Sequence, residues 1–144
     1  MTNTIYRTDF YAWTKQQAAL IQAEELEKLD LPNLAEEIES MGASQRNALT
    51  SRLKVLLMHL LKWRYQPEKN IGPSWQNTID EQRSEISDLL EDNPSLGPEV
   101  PEQFAKAYPR ARRDAAKETK LPLSTFPVNC PWTVEQVLDD EWLP

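Results

Sequence analysis

The chain has 144 residues and a mass of 16.7 kDa, room for one domain and little else. Its composition, 40% hydrophobic, 27% charged and 8% aromatic, is that of a soluble globular protein, and three glycines argue against a strand-and-turn architecture or a glycine-rich phosphate loop. Sixteen basic against 23 acidic residues give −7, a poor charge for neutralising phosphate backbones, while one cysteine excludes an internal disulfide and one histidine a histidine-rich metal site.

Helical periodicity recurs four times. The first predicted helix covers 9–29, with Phe10, Trp13, Leu20 and Ile21 on its inward face and Asp9 at its cap. Asn33 followed by Glu36 predicts a second N-cap with its reciprocal partner. The pattern then runs over 34–66, and Gly42 is the expected place for a break or bend. Beyond it Leu49, Leu53, Leu56, Leu57, Leu60, Leu61 and Trp63 make the broadest apolar face in the chain. A third helix, 74–92, should be capped by Ser74 and present a seam of Trp75, Ile79, Gln82, Ile86, Leu89 and Leu90. Its alternating four- and three-residue spacings point to near-antiparallel bundle packing. A fourth, 98–119, turns Phe104, Ala107, Tyr108, Ala111 and Ala115 inward, and Pro109 should kink it for want of an N–H.

Residues 120–144 read as an extended strap, too apolar at Phe126, Trp132, Val137, Leu138 and Trp142 to be left in water. Thr133 with Gln136 predicts one short helix within it. The fold class is all-α: one domain, 1–144, of about four main helices with the C-terminal strap packed across them. No run approaches the ~20 apolar residues of a membrane span. The first residues lack the charged and apolar regions of a signal peptide, so the expected location is cytoplasmic, with no membrane partner.

Charge alternates along the chain. Residues 1–42 carry −5, 46–69 carry +5, 80–102 carry −7, 106–120 carry +4 and 133–144 carry −4. In an up-and-down bundle each basic helix would lie beside acidic ones, so self-complementary flanks are the leading reading. The competing reading is a basic groove for nucleic acid, built from Arg52, Lys62, Arg64 and Lys69 with Arg110, Arg112 and Arg113 of the 110–120 run.

Five phrases occur in order: Asp9-Phe10-Tyr11-Ala12-Trp13, the run from Leu34 to Gly42, His59-Leu60-Leu61-Lys62-Trp63, Trp75-Gln76-Asn77-Thr78-Ile79 leading to Gln82-Arg83, and Phe126-Pro127-Val128-Asn129-Cys130-Pro131. Together they resemble the bacterial "domain of unknown function 29" family over essentially the whole chain. The resemblance implies a compact all-α protein and supplies no activity. Pro109 departs from the pattern, which suggests an ordinary helix former there.

Few residues are arranged for chemistry. Glu36 and Glu39 share a helix face, as do Glu85 and Asp88, and the two pairs together could hold a divalent cation like the magnesium site of all-α nucleotide pyrophosphohydrolases. Against this, about three or four acidic i,i+3 pairs are expected by chance in a chain so rich in acids. Di-iron chemistry needs Glu-x-x-His on two helices, which a single histidine excludes. His59, with Lys62 one turn on, is the candidate general base, against the plainer reading of a flank histidine that orders the bundle. Cys130 lies in a proline-rich extended stretch without a helix start to lower its pKa. Gln17 and Gln82 interrupt apolar seams, and with Arg83, Trp13 and Trp75 they could line a polar core or ligand pocket.

The leading functional reading is therefore a small non-enzymatic interaction module that meets a protein partner or a second copy of itself, with no cofactor identified. A phosphohydrolase using Glu36, Glu39, Glu85 and Asp88 around a divalent cation, with His59 or Lys62 nearby, is the alternative. Nucleic-acid binding is the third.

Overall fold

The computed structural model describes residues 5–144 and, over them, is all-α with no strand. In chain order the helices are α1 (Ile5–Thr8), α2 (Phe10–Gln22), α3 (Leu31–Tyr65), α4 (Ser74–Asp92), α5 (Val100–Thr119) and α6 (Val134–Leu138), so four are long, as expected. The chain forms two compact units, Met1–Ser44 and Gln45–Pro144, with α3 contributing to both.

In the first unit Asp9 caps α2 as predicted, its carboxylate accepting from the Ala12 N–H at 3.1 Å. The helix stops at Gln22, well short of 29. Glu24 takes a left-handed conformation, φ 58°, and the Glu25 and Glu24 N–H groups turn back to the Leu20 and Ile21 carbonyls. That closure satisfies orphan C-terminal acceptors and usually employs glycine, which is why no sequence signal marked it.

The start of α3 is set by Asp30 rather than Asn33. The Asp30 carbonyl accepts from the Leu34 N–H at 2.9 Å, and its carboxylate accepts from Asn33 Nδ2 at 2.8 Å and from Trp13 Nε1 at 3.0 Å. Pro32 falls in the first turn, where its missing N–H costs nothing, so the helix begins before it. Trp13 of α2, through its bond to Asp30, and Tyr6 of α1, whose hydroxyl donates to Glu37, tie both helices to the opening turns of α3. Gly42 does not break α3: it is helical, and a Cβ there would meet nothing within 4 Å.

In the second unit the leucine face of α3 is buried as read, with Leu49, Leu53, Leu56, Leu57, Leu60 and Leu61 fully enclosed. Phe104, Ala107, Tyr108, Ala111 and Ala115 of α5 pack against it with Ile79 and Ile86 of α4. One buried polar link joins α3 to α5, Thr50 Oγ1 donating to Gln103 Oε1 at 2.7 Å. Ser74 is the first residue of α4 rather than its side-chain cap, and its carbonyl accepts from Thr78 Oγ1. The buried polar position of the α4 seam is Arg83, while Gln82 is half-buried and accepts from Arg52 at 3.5 Å. Pro109 lies inside α5 without ending it.

The strap is anchored from α4 and α5. Tyr108 Oη donates to the Pro127 carbonyl at 2.6 Å, and Arg112 donates to the carbonyls of Phe126 at 2.9 Å and Leu123 at 3.1 Å. Phe126 and Val137 are buried, and Thr133 with Gln136 forms both halves of the predicted capping box of α6.

Candidate functional site

The catalytic and metal candidates divide between the units, Glu36 and Glu39 in the first, Glu85 and Asp88 in the second. Glu85 is engaged by Arg52 at 3.5 Å. Asp88 borders a polar hollow of about 550 Å³ with Asp80, Arg83, Asp140 and Glu141. Among the described residues, no group of three or more His, Cys, Asp or Glu side chains is placed to hold a metal ion.

His59 Nδ1 lies 2.9 Å from the Val55 carbonyl, so that nitrogen carries the proton. Burial first, and then Lys62, pushes the imidazole below its ordinary pKa. Lys62 itself is buried, with its ammonium 2.7 Å from Glu118 and 4.7 Å above the Trp75 ring. A cation so enclosed between a carboxylate and an indole face is a structural pair. The Cys130 thiol is half-buried and burial raises its pKa, the wrong direction for a nucleophile.

Of the basic residues read as a nucleic-acid groove, Arg52 pairs with Glu85, Lys62 with Glu118, and Arg112 is spent on strap carbonyls. Arg64 stacks over its neighbour Tyr65 at 5.5 Å. Arg83 is buried and donates to the carbonyls of Val137 at 2.9 Å, Asp140 at 3.5 Å and Trp142 at 2.7 Å.

The polar-core set also divides. Gln82, Arg83 and Trp75 belong to the second unit, whereas Trp13 and Gln17 come together in the first. They are the two buried side chains among the described residues of that unit. The Gln17 amide oxygen accepts from the Asp30 N–H at 2.9 Å. Above them opens a groove of about 440 Å³ between α2 and the start of α3, with walls of Phe10, Thr14, Ala18 and Ile21 on one side and Leu34, Glu37, Ile38 and Met41 on the other.

Four large apolar side chains of this groove face water: Phe10 at 47%, Ile21 at 49%, Ile38 at 65% and Met41 at 67% exposure. Phe10 and Ile21 were expected on a buried face. Their periodicity is real, but no element of the described chain covers that side of α2. Ile38 and Met41 carried no functional signal of their own; the available clue was the i, i+4, i+7 spacing of Leu34, Ile38 and Met41.

Comparison with known proteins agrees with the sequence resemblance. The family model described as "Domain of unknown function DUF29" matches residues 5–143, and the chain belongs to that family. No curated protein and no solved structure matches it. Among the described residues no helix is long and apolar enough to cross a membrane.

Proposed function

We propose that the chain is a protein-interaction module whose docking face is the apolar groove of the first unit. The observation that carries this reading is the mismatch between apolar content and burial in that unit. Its helices bury one aromatic and one amide while Phe10, Ile21, Ile38 and Met41 remain in water around a single groove. A helix with an apolar stripe gains stability by laying it against another element, and a contiguous exposed apolar surface marks an interaction site. Two helices alone leave the outer stripe uncovered.

The lining favours docking over catalysis. Among the described residues Glu37 is its single ionisable residue, and it already accepts from the Tyr6 hydroxyl.

A photo-crosslinking residue in place of Ile38, expressed in the source cells, tests this reading. The expected result is a discrete adduct that Met41→Arg abolishes, with no such adduct from the same residue in place of Val128, an exposed position of the second unit. No adduct at position 38, or equal adducts from both positions, overturns it.

A further inference from the structure

We infer that the occupant of the groove is an amphipathic helix of another protein whose flanks carry Lys and Arg. The inference rests on the docking reading and specifies the chemistry of the partner. Hydrogen-bond supply decides against an extended segment. The polar groups lining the groove are already engaged: the Thr14 hydroxyl donates to the Tyr11 carbonyl at 2.7 Å, the Gln17 amide oxygen accepts from the Asp30 N–H, and Glu37 accepts from the Tyr6 hydroxyl. A strand laid on this surface would bury more N–H and C=O groups than these three side chains can meet. A helix satisfies its own backbone and presents only side chains.

The dimensions agree. From Phe10 to Ile21 the α2 wall spans roughly 16 Å at 1.5 Å per residue, about three helical turns. A third helix laid there would bury Ile38 and Met41 from one wall and Phe10 and Ile21 from the other.

Charge selects the flanks of the partner and argues against a second copy. Among the described residues no Lys or Arg lines the groove and its one ionisable group is a carboxylate, while residues 1–42 carry −5 from three basic and eight acidic residues. Two copies meeting through this face would set two such units against each other, whereas a basic helix is attracted by the same field.

The test uses the full chain and two labelled synthetic helices of about 18 residues, long enough to hold helical structure. They share a leucine stripe and differ in flanks, Lys and Arg in one, Glu in the other. By fluorescence anisotropy the basic helix should bind at least about tenfold more tightly at about 0.05 M salt, and the gap should close at about 0.5 M as screening sets in. Ile38→Asp and, on the opposite wall, Ile21→Asp should each abolish binding with the far-ultraviolet spectrum unchanged; both positions are exposed, so the substitutions leave the interior intact. Equal affinity for the two helices overturns the charge assignment. Failure of both to bind, with the Ile38 crosslink still forming, overturns the helical occupant and leaves the docking reading standing; loss of the crosslink as well removes both. A dimer in sedimentation that Ile38→Asp dissolves makes the occupant a second copy and overturns the inference.

Discussion

The guanidinium of Arg83 closes the strap of the second unit onto α4 by donating to three main-chain carbonyls, those of Val137, Asp140 and Trp142. Its stem is enclosed, and burial lowers its pKa while Asp140, Asp80 and Asp139 favour the charged form. Substitution by Met keeps the apolar stem but leaves carbonyls near the end of α6 without donors. Each buried group left unpaired costs about 1–3 kcal/mol, so Arg83→Met should lower unfolding stability by roughly 3 kcal/mol, read from the urea midpoint. Arg83→Lys should recover only part of this, because one ammonium cannot fork across three acceptors. His59 gives a pH-dependent counterpart. Its pKa is lowered in the folded chain, with burial the largest cause and Lys62 adding to it, against the Val55 carbonyl and Glu118. Above the ordinary value of 6.5 the ring is neutral in both states and costs nothing. As pH falls below it, the unfolded chain takes up the proton more readily, and stability declines toward the folded pKa. Urea midpoints at about pH 7.5 and about pH 5.5 should therefore fall for the native chain, and His59→Gln should shrink that difference. An unchanged slope in the variant would assign the acid sensitivity elsewhere.

At the level of elements, Gly42 offers the cleanest test of α3. The helix runs unbroken from Leu31 to Tyr65, and a Cβ at position 42 would stand in open space. Glycine in a helix interior costs about 0.5–1 kcal/mol relative to alanine, so Gly42→Ala should raise stability by up to that amount, whereas a hinge there would make the change neutral or harmful. Thermal unfolding of the two chains decides it. The misread break shows which signals in the sequence were informative. Thr133 and Gln136 were readable because a capping box is local, with both partners three residues apart, and the leucine face of α3 because its period persists through several turns. Gly42, Ser74 and Asn33 misled because a residue type that suits a terminus was read as making one, while tertiary partners decide the boundary. Asp30 starts α3 with the Trp13 indole bonded to it from another helix. The predicted seam ran through Gln82, with Arg83 named beside it for a polar core, whereas the buried position is Arg83. What brings it inside is a set of carbonyls more than fifty residues away in the chain. The groove was half legible for a related reason. Periodicity reveals that Phe10 and Ile21 share an apolar face, but carries no information on whether another segment covers it.

Across the second unit, ion pairs link α3 to its neighbours, but only Arg52–Glu85 joins a basic segment to an acidic one, since Lys54–Asp114 and Lys62–Glu118 join α3 to α5, itself net basic. Arg52 meets Glu85 at 3.5 Å, Lys54 meets Asp114 at 3.3 Å and Lys62 meets Glu118 at 2.7 Å, so basic α3 is matched by carboxylates of α4 and α5. The two solvent-accessible pairs, Arg52–Glu85 and Lys54–Asp114, add little stability, a median of about 0–1 kcal/mol each, but they decide what the surface can attract. A polyanion must displace the carboxylates already in place. Seven phosphate contacts from Arg52, Lys62, Arg64, Lys69, Arg110, Arg112 and Arg113 would make binding fall with a log–log salt slope of about −6. Arg52 and Lys62 are held by carboxylates and Arg112 by carbonyls, which leaves Arg64, Lys69, Arg110 and Arg113. Four contacts would give a slope of about −4 at most, and the net charge of −7 opposes even those. The chain should therefore leave an immobilised duplex below about 0.15 M salt, with a slope no steeper than about −4. Arg110→Ala/Arg113→Ala should weaken the retention that remains and flatten its slope, while Arg52→Ala should leave it nearly unchanged because that guanidinium is already paired. A slope near −6 that Arg52→Ala reduces would mean that the α3–α4 pair opens to admit phosphate, and the basic helices would then have to be regarded as a binding surface rather than as one side of an internal match.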